Sequence, residues 1–334
     1  MMINPDYDEV ESAAGDAGTT GSGGTEGSSG EPGGTVGGSM DEGTVGDGDG
    51  TGETGGDESG AVDASGDTGP GSDGSPSWSF DAIEPVDELN SDEDDDDPTL
   101  RTDLLEIYFA SRRTTNEEIY VSTRSSVDEA WDVPEAVDFM NGVSDETSPE
   151  LSADGLTLTF AHDSPGVPSG HDIWIATRPS VDDDWGQAVA FASLNANGLE
   201  TSAVFADDLL DLMLCATRRD TIGATDIYRA SVEGLEGEAL FDRVAPLSSG
   251  AGDCDIFVDP LGEIAVFASD RSGTWDLWRA SASGNSWGGA QTIADLNTDG
   301  QDNDPWLSPS TGIMYFARDD GSGYDIYRAV SVPD

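Results

Sequence analysis

One pattern recurs five times along this chain, at intervals of about fifty residues, and it constrains the fold more than any other feature. Each unit opens on a bulky residue: Phe80, Trp131, Trp185 and Trp287, with Glu238 the exception. Ten positions on stand Asn90, Asn141, Asn195, Ser248 and Asn297. Five further is an acid every time: Asp95, Glu146, Glu200, Asp253 and Asp302. Then come Pro98, Pro149, Ala203, Ile256 and Pro305, followed by Phe109, Phe160, Leu214, Phe267 and Phe316. Each unit closes on a strand-like triplet: Glu118-Ile119-Tyr120, Asp172-Ile173-Trp174, Asp226-Ile227-Tyr228, Asp276-Leu277-Trp278 and Asp325-Ile326-Tyr327. A period near fifty made of strand signals alone specifies propeller blades.

The last unit shows how one repeat becomes one blade. Pro305–Ser308 reads as a short strand a, and Pro309-Ser310-Thr311-Gly312 as a tight turn. Proline, aspartate and glycine in this turn and its counterparts supply the dihedrals it needs. Ile313–Ala317 is rich in β-formers and almost continuously apolar, as a strand buried on both faces should be. Asp319–Gly323 is the next hairpin loop and Tyr324–Ala329 strand c. A fourth strand, opened by Trp131, Trp185 or Trp287, is expected to follow in earlier units. The last unit has no strand d, whereas the first begins with one around 80–89. The N-terminal strand should therefore complete the last blade and close a ring of five, leaving no open sheet edges.

Pro149–Gly155, then Phe160-Ala161, then Asp172-Ile173-Trp174 resembles the TolB-like propeller repeat, a relative of the WD repeat. So does Phe267–Gly273 followed by Asp276–Arg279. The resemblance covers residues 78–330 and implies a binding platform without implying an activity. The third unit departs from it, with Ala203 for the proline, Leu214 for the phenylalanine and Ala206-Asp207-Asp208 for the Asp-Gly turn.

Composition divides the chain. Residues 1–76 hold 23 of the 43 glycines, with serine, threonine and acids and one aromatic, Tyr7. Such a stretch cannot bury enough apolar surface to offset chain entropy, so it is expected to be a disordered acidic tether. Residues 77–334 suit one five-bladed all-β propeller. The chain carries 69 acids against 13 arginines and no lysine, a formal charge of −56. That field repels phosphate backbones and anionic headgroups, which excludes nucleic acid as a partner. High charge and a closed ring favour a monomer. No apolar run is long enough to span a bilayer, and no signal peptide follows Met1. A long tether ahead of a propeller nonetheless looks like the spacer of a bacterial surface lipoprotein. The chain is expected in the cell envelope, or as a secreted protein of the periplasm or outer surface, with a leader removed or lying upstream.

Cys215 takes the slot filled by Ala110, Ala161, Ala268 and Ala317, which reads as a packed thiol. Cys254 precedes the next strand a. Two cysteines make no disulfide framework; a bridge between neighbouring blades stays open, without support from the spacing.

Three constellations bear on chemistry. The acids Asp95, Glu146, Glu200, Asp253 and Asp302 should lie near one face, between strand d and the next strand a. They are either turn caps or a ring of oxygen ligands for Ca²⁺, with Asp94, Asp96, Asp97, Asp255 and Asp304 adding to the field. Arg113, Arg218 and Arg271 are expected to pair with the acid that opens strand c. The only histidines, His162 and His171, are each followed by an acid, Asp163 and Asp172, and flank a loop of their own. That loop breaks the repeat and is the candidate partner-binding element. No nucleophile, zinc or phosphate-loop motif occurs. The expected role is thus a non-catalytic binding or scaffolding module for a protein or glycan, with no cofactor. The rivals are a glycoside hydrolase using channel carboxylates and a calcium-dependent structural propeller.

Overall fold

A computed structural model describes residues 79–163, 170–196, 198–205 and 211–332. The predicted tether lies outside the described residues, as do residues 164–169 of the candidate loop and 206–210 of the third unit's a–b turn. Every regular element among the described residues is a strand, and the strands form five antiparallel sheets.

Blade 1 comprises β2 (Asp95–Leu100), β3 (Glu106–Ser111), β4 (Glu118–Thr123) and β5 (Glu135–Ala136). Blade 2 comprises β6 (Glu146–Leu151), β7 (Thr157–Asp163), β8 (His171–Thr177) and β9 (Val189–Ala190). Blade 3 comprises β10 (Glu200–Phe205), β11 (Asp211–Ala216), β12 (Asp226–Ser231) and β13 (Leu240–Arg243). Blade 4 comprises β14 (Asp253–Val258), β15 (Ile264–Ser269), β16 (Asp276–Ser283), β17 (Ser286–Trp287) and β18 (Gln291–Thr292). Blade 5 comprises β19 (Gln301–Ser308), β20 (Ile313–Asp319) and β21 (Tyr324–Val332), and its outer strand is β1 (Ser79–Pro85). Phe80 pairs with Ser331 and Pro85 with Tyr327, so the first and last described strands close the ring in the way the sequence requires.

The repeat residues have local physical reasons. The middle residue of each closing triplet is fully buried: Ile119, Ile173, Ile227, Leu277 and Ile326. The repeated asparagine acts as a short β-partner for that residue. Asn90 accepts from the Ile326 amide and donates to its carbonyl, and Asn141, Asn195 and Asn297 do the same for Ile119, Ile173 and Leu277. This satisfies backbone groups just where the outer strand ends. Gly155 and Gly262 turn strand a into strand b at φ of +72° and +67°, a conformation that other residues adopt at a cost.

Strand d begins later than the tryptophans suggest. Trp131 and Trp185 lie before β5 and β9, as platforms for Arg124 and Arg178, whose guanidinium carbons stand 4.1 and 4.4 Å from the ring centres. The cysteines settle the open question of a bridge, and Cys254 stands within strand a and not before it. Cys254 lies inside β14, and it forms a disulfide with Cys215 of β11, joining blade 3 to blade 4. The small slot beside the repeated phenylalanine faces the next blade's first strand, so two cysteines in these registers meet.

Candidate functional site in the channel

The five repeated acids are all fully buried. Each carboxylate accepts the amide hydrogen four residues upstream: Ser91 to Asp95, Gly142 to Glu146, Ala196 to Glu200, Ser249 to Asp253 and Thr298 to Asp302. Each is also paired with one base from the end of strand b: Arg113 with Asp95, His162 with Glu146, Arg218 with Glu200, Arg271 with Asp253 and Arg318 with Asp302. The arginines therefore do not pair with the acid that opens strand c, as the hairpin register suggested. Asp276, for example, takes the Ser272 hydroxyl instead.

Each of the four arginines makes a second contact, to the carbonyl of the leucine that ends the preceding blade: Leu89, Leu194, Leu247 and Leu296. The acid–arginine–carbonyl clasp thus ties every blade it serves to its neighbour. The aromatic signature of the repeat is its cradle. Arg113 lies over Phe109 and Tyr120, Arg271 over Phe267 and Trp278, and Arg318 over Phe316 and Tyr327. Burial pushes the Glu200 carboxyl up to about 7 despite its 3.4 Å approach to Arg218, because that contact is too long to offset desolvation.

Blade 2 uses a histidine. His162 Nδ1 stands 2.8 Å from Glu146 Oε1, and its ring lies 5.1 Å from that of Trp174. Of the candidate partner loop, His162, Asp163, His171 and Asp172 are described. They face one another across the hairpin, His162 opposite Asp172 and Asp163 opposite His171. His162 is thereby committed to its own blade. The junction of blades 1 and 2 gains instead a buried ion pair. Arg178, 4% exposed, donates to both oxygens of Glu106 at 3.0 and 2.8 Å. Tyr108 donates to Glu106, and the Trp185 indole donates to Tyr108.

A different set of acids lines the channel. Every first strand carries a β-bulge just after the repeated acid. The bulge residue is left-handed in all five blades: Asp97, Ser148, Ser202, Asp255 and Asp304, at φ from 47° to 53°. Such a conformation is disfavoured for non-glycine residues, though aspartate tolerates it best. Its repetition around the ring interrupts the strand's alternation and redirects the residue two places after each buried acid. Asp97, Ser202, Asp255 and Asp304, with Glu150, line a neck of about 10 Å³. Asp97 Oδ2 accepts from the Thr147 hydroxyl at 2.5 Å and the Ser148 amide at 2.9 Å, and Asp255 accepts from Ser202 at 3.3 Å.

Two groups of acids there bring one oxygen from each residue within 4.8 Å of the others: Asp97, Asp255 and Asp304, and Asp96, Asp97 and Glu117. Neither group contains any of the five repeated acids. Arg112 is the base at this end, 2.6 Å from Glu117. One Asp96 oxygen is buried with no hydrogen-bond partner. Burial and mutual repulsion push the Glu117 and Asp255 carboxyls up to about 7, and hold those of Asp96, Asp304 and Glu150 well above the usual range. In the sequence Asp96, Asp97, Asp255 and Asp304 stand out only as neighbours of the five-acid ring, and Glu117 and Glu150 do not stand out at all. The available signal was the acid recurring two places after the buried one, at 97, 255 and 304.

Past the neck the channel becomes apolar. A cavity of about 380 Å³ is lined by Leu100, Leu151, Val204, Phe257, Trp306 and Leu307, and its rim by the a–b turns. Trp306, 4% exposed, belongs to both the cavity wall and the neck.

Fold and site together define a five-bladed β-propeller with an acid-lined channel. No family model matches this chain, and no curated protein matches it. Among solved structures it is similar to an α-L-arabinofuranosidase from Podospora anserina, at 12% identity and a TM-score of 0.50, over 77% of this chain and 98% of that one. It is likewise similar to an endo-arabinase from Bacteroides thetaiotaomicron, at 17% identity and a TM-score of 0.50, over 75% and 96%. TolB from Acinetobacter baumannii also matches, at 17% identity and a TM-score of 0.47, over 74% of this chain and 57% of that one. At these identities the likeness is one of fold, and the repeat is TolB-like in its residues. Among the described residues, no helix is long and apolar enough to cross a membrane.

Proposed function

We propose that this chain is a non-catalytic binding propeller, displayed at the cell envelope or secreted, that recognises a protein or a glycan. The observation that carries this reading is the closure of its carboxylates. The repeated acids are committed to their bases, and the channel acids lie around a neck of about 10 Å³. A glycoside hydrolase needs two carboxyl groups flanking a bond, about 5 to 9.5 Å apart with the sugar between them. A neck this narrow does not admit a sugar ring. The inter-blade disulfide supports an oxidising compartment.

Two assays on the full chain test the reading. Arabinan, xylan and related polymers should release no product, and immobilised protein should retain a specific partner from envelope extract or bind a glycan on an array. Product release that is lost in Asp255→Asn would overturn it.

A second reading, a propeller whose fold is strengthened by Ca²⁺, is favoured by the convergence of Asp97, Asp255 and Asp304. Hard oxygen ligands without a base suit that ion. A calcium-specific rise in melting temperature, absent with Mg²⁺, is its test.

A further inference from the structure

The channel joins two chemistries that are seldom adjacent. One end is a walled apolar cavity of about 380 Å³, within the range of small-molecule sites. The other is the acidic neck, where Glu150, Asp97, Asp255 and Asp304 meet Trp306. Strand register makes them continuous, because the residues that follow the neck acids line the cavity. Glu150 is followed by Leu151, and Asp255 and Asp304 are followed two places on by Phe257 and Trp306. Among the described residues, no arginine or histidine lines either space. Among the described residues, the Glu150 carboxylate has one hydrogen-bond partner, the Thr99 hydroxyl at 3.5 Å. A carboxylate so placed is costly unless a cation meets it.

We propose that this channel is a binding site for a small primary amine with an apolar body. The body occupies the cavity against Trp306, Phe257, Leu151 and Leu100, and the ammonium enters the neck beside Glu150. The size of the neck sets the head group. About 10 Å³ admits a group the size of one water, which an ammonium is and a guanidinium or trimethylammonium is not. Charge complementarity chooses the amine over a neutral molecule of the same shape. The site is separate from the partner-recognition reading and stands or falls without it.

The test is titration calorimetry on the full chain at pH 8, in chelator-treated buffer, with hexylamine, hexanol and hexyltrimethylammonium as probes. Hexylamine should bind at least tenfold more tightly than either of the others. Glu150→Gln should weaken hexylamine at least tenfold and leave hexanol unchanged. Val204→Trp, which fills the cavity, should abolish binding of all three. Equal affinities for hexylamine and hexanol, no binding of hexylamine, or an unchanged affinity in Glu150→Gln would each overturn the proposal. Glu150→Gln decides the question even if the bulkier variant does not fold.

Discussion

Arg318 donates from Nε to Asp302 Oδ1 at 2.6 Å while its Nη2 reaches the Leu296 carbonyl at the end of the preceding blade. Asp302 is fully buried and the arginine side chain is 11% exposed. Removing the base leaves a buried carboxylate and a carbonyl without partners. Breaking such a pair costs about 3–5 kcal/mol. Arg318→Ala should therefore lower the melting temperature by roughly 10 °C in a domain of this size, as read by calorimetry. A change below 2 °C would mean that the clasp does not hold the ring.

The histidine in blade 2 makes the opposite prediction. His162 and Arg318 hold equivalent strand positions, each two residues after the repeated phenylalanine. His162 meets its carboxylate through one ring nitrogen, whereas the Arg318 guanidinium reaches a carboxylate and a carbonyl together. His162→Arg should give Glu146 a guanidinium partner and bring the Met140 carbonyl within reach. The expected gain is about 1 kcal/mol, measured by denaturant unfolding.

Cys215 and Cys254 close a loop of 39 residues between blades 3 and 4. The chain-entropy model assigns such a loop about 4 kcal/mol. Reduction should lower the melting temperature by roughly 10 °C, with a mass gain of two hydrogens to show that the bond was broken. An unchanged melt in the reduced protein would exclude the bridge as a brace.

These relationships explain what was legible in the sequence. The blade count, the closing strand and the turn glycines were readable because each depends on local residue types at fixed offsets. The clasp was half readable. The acid and the arginine both recur, but their pairing runs from strand b back to strand a, whereas hairpin spacing pointed to strand c. The channel acids were hidden by the bulge. Strict alternation places residues 95 and 97 on one face, yet the left-handed Asp97 turns the second one toward the axis. The disulfide was hidden because Cys215 sits in an alanine slot, and nothing local shows that this slot faces the first strand of the next blade.

The channel acids, together with Glu200 of the clasp, which is also pushed up to about 7 by burial, set the pH response. The folded carboxyls of Glu117 and Asp255 titrate at about 7, and those of Asp96, Glu150 and Asp304 lie well above the ordinary range, burial being the first cause in each case. Each binds its proton more tightly folded than unfolded. Its contribution to stability is complete below the unfolded value near 4 and is lost as pH rises through the folded value. Glu106 runs the other way. Burial opposes its ionisation, but Arg178, Tyr108 and Arg101 more than offset that, so its contribution is lost as pH falls. The melting temperature should peak near pH 5 and decline toward pH 8 in chelator-treated buffer. A melting temperature that rises across that interval would contradict the assignment.

The division of labour between two sets of acids, one holding the ring and one holding the channel, is best tested by a single comparison. Melting temperatures would be measured at pH 8 with and without millimolar Ca²⁺ for the parent chain, for Asp302→Asn, and for the combined Asp97→Asn, Asp255→Asn and Asp304→Asn variant. The calcium reading predicts a calcium-dependent rise in the parent that survives in Asp302→Asn, although from a lower baseline, and that disappears in the channel variant. Loss of the response in Asp302→Asn with its retention in the channel variant would show that the repeated acids, and not the channel acids, form the site.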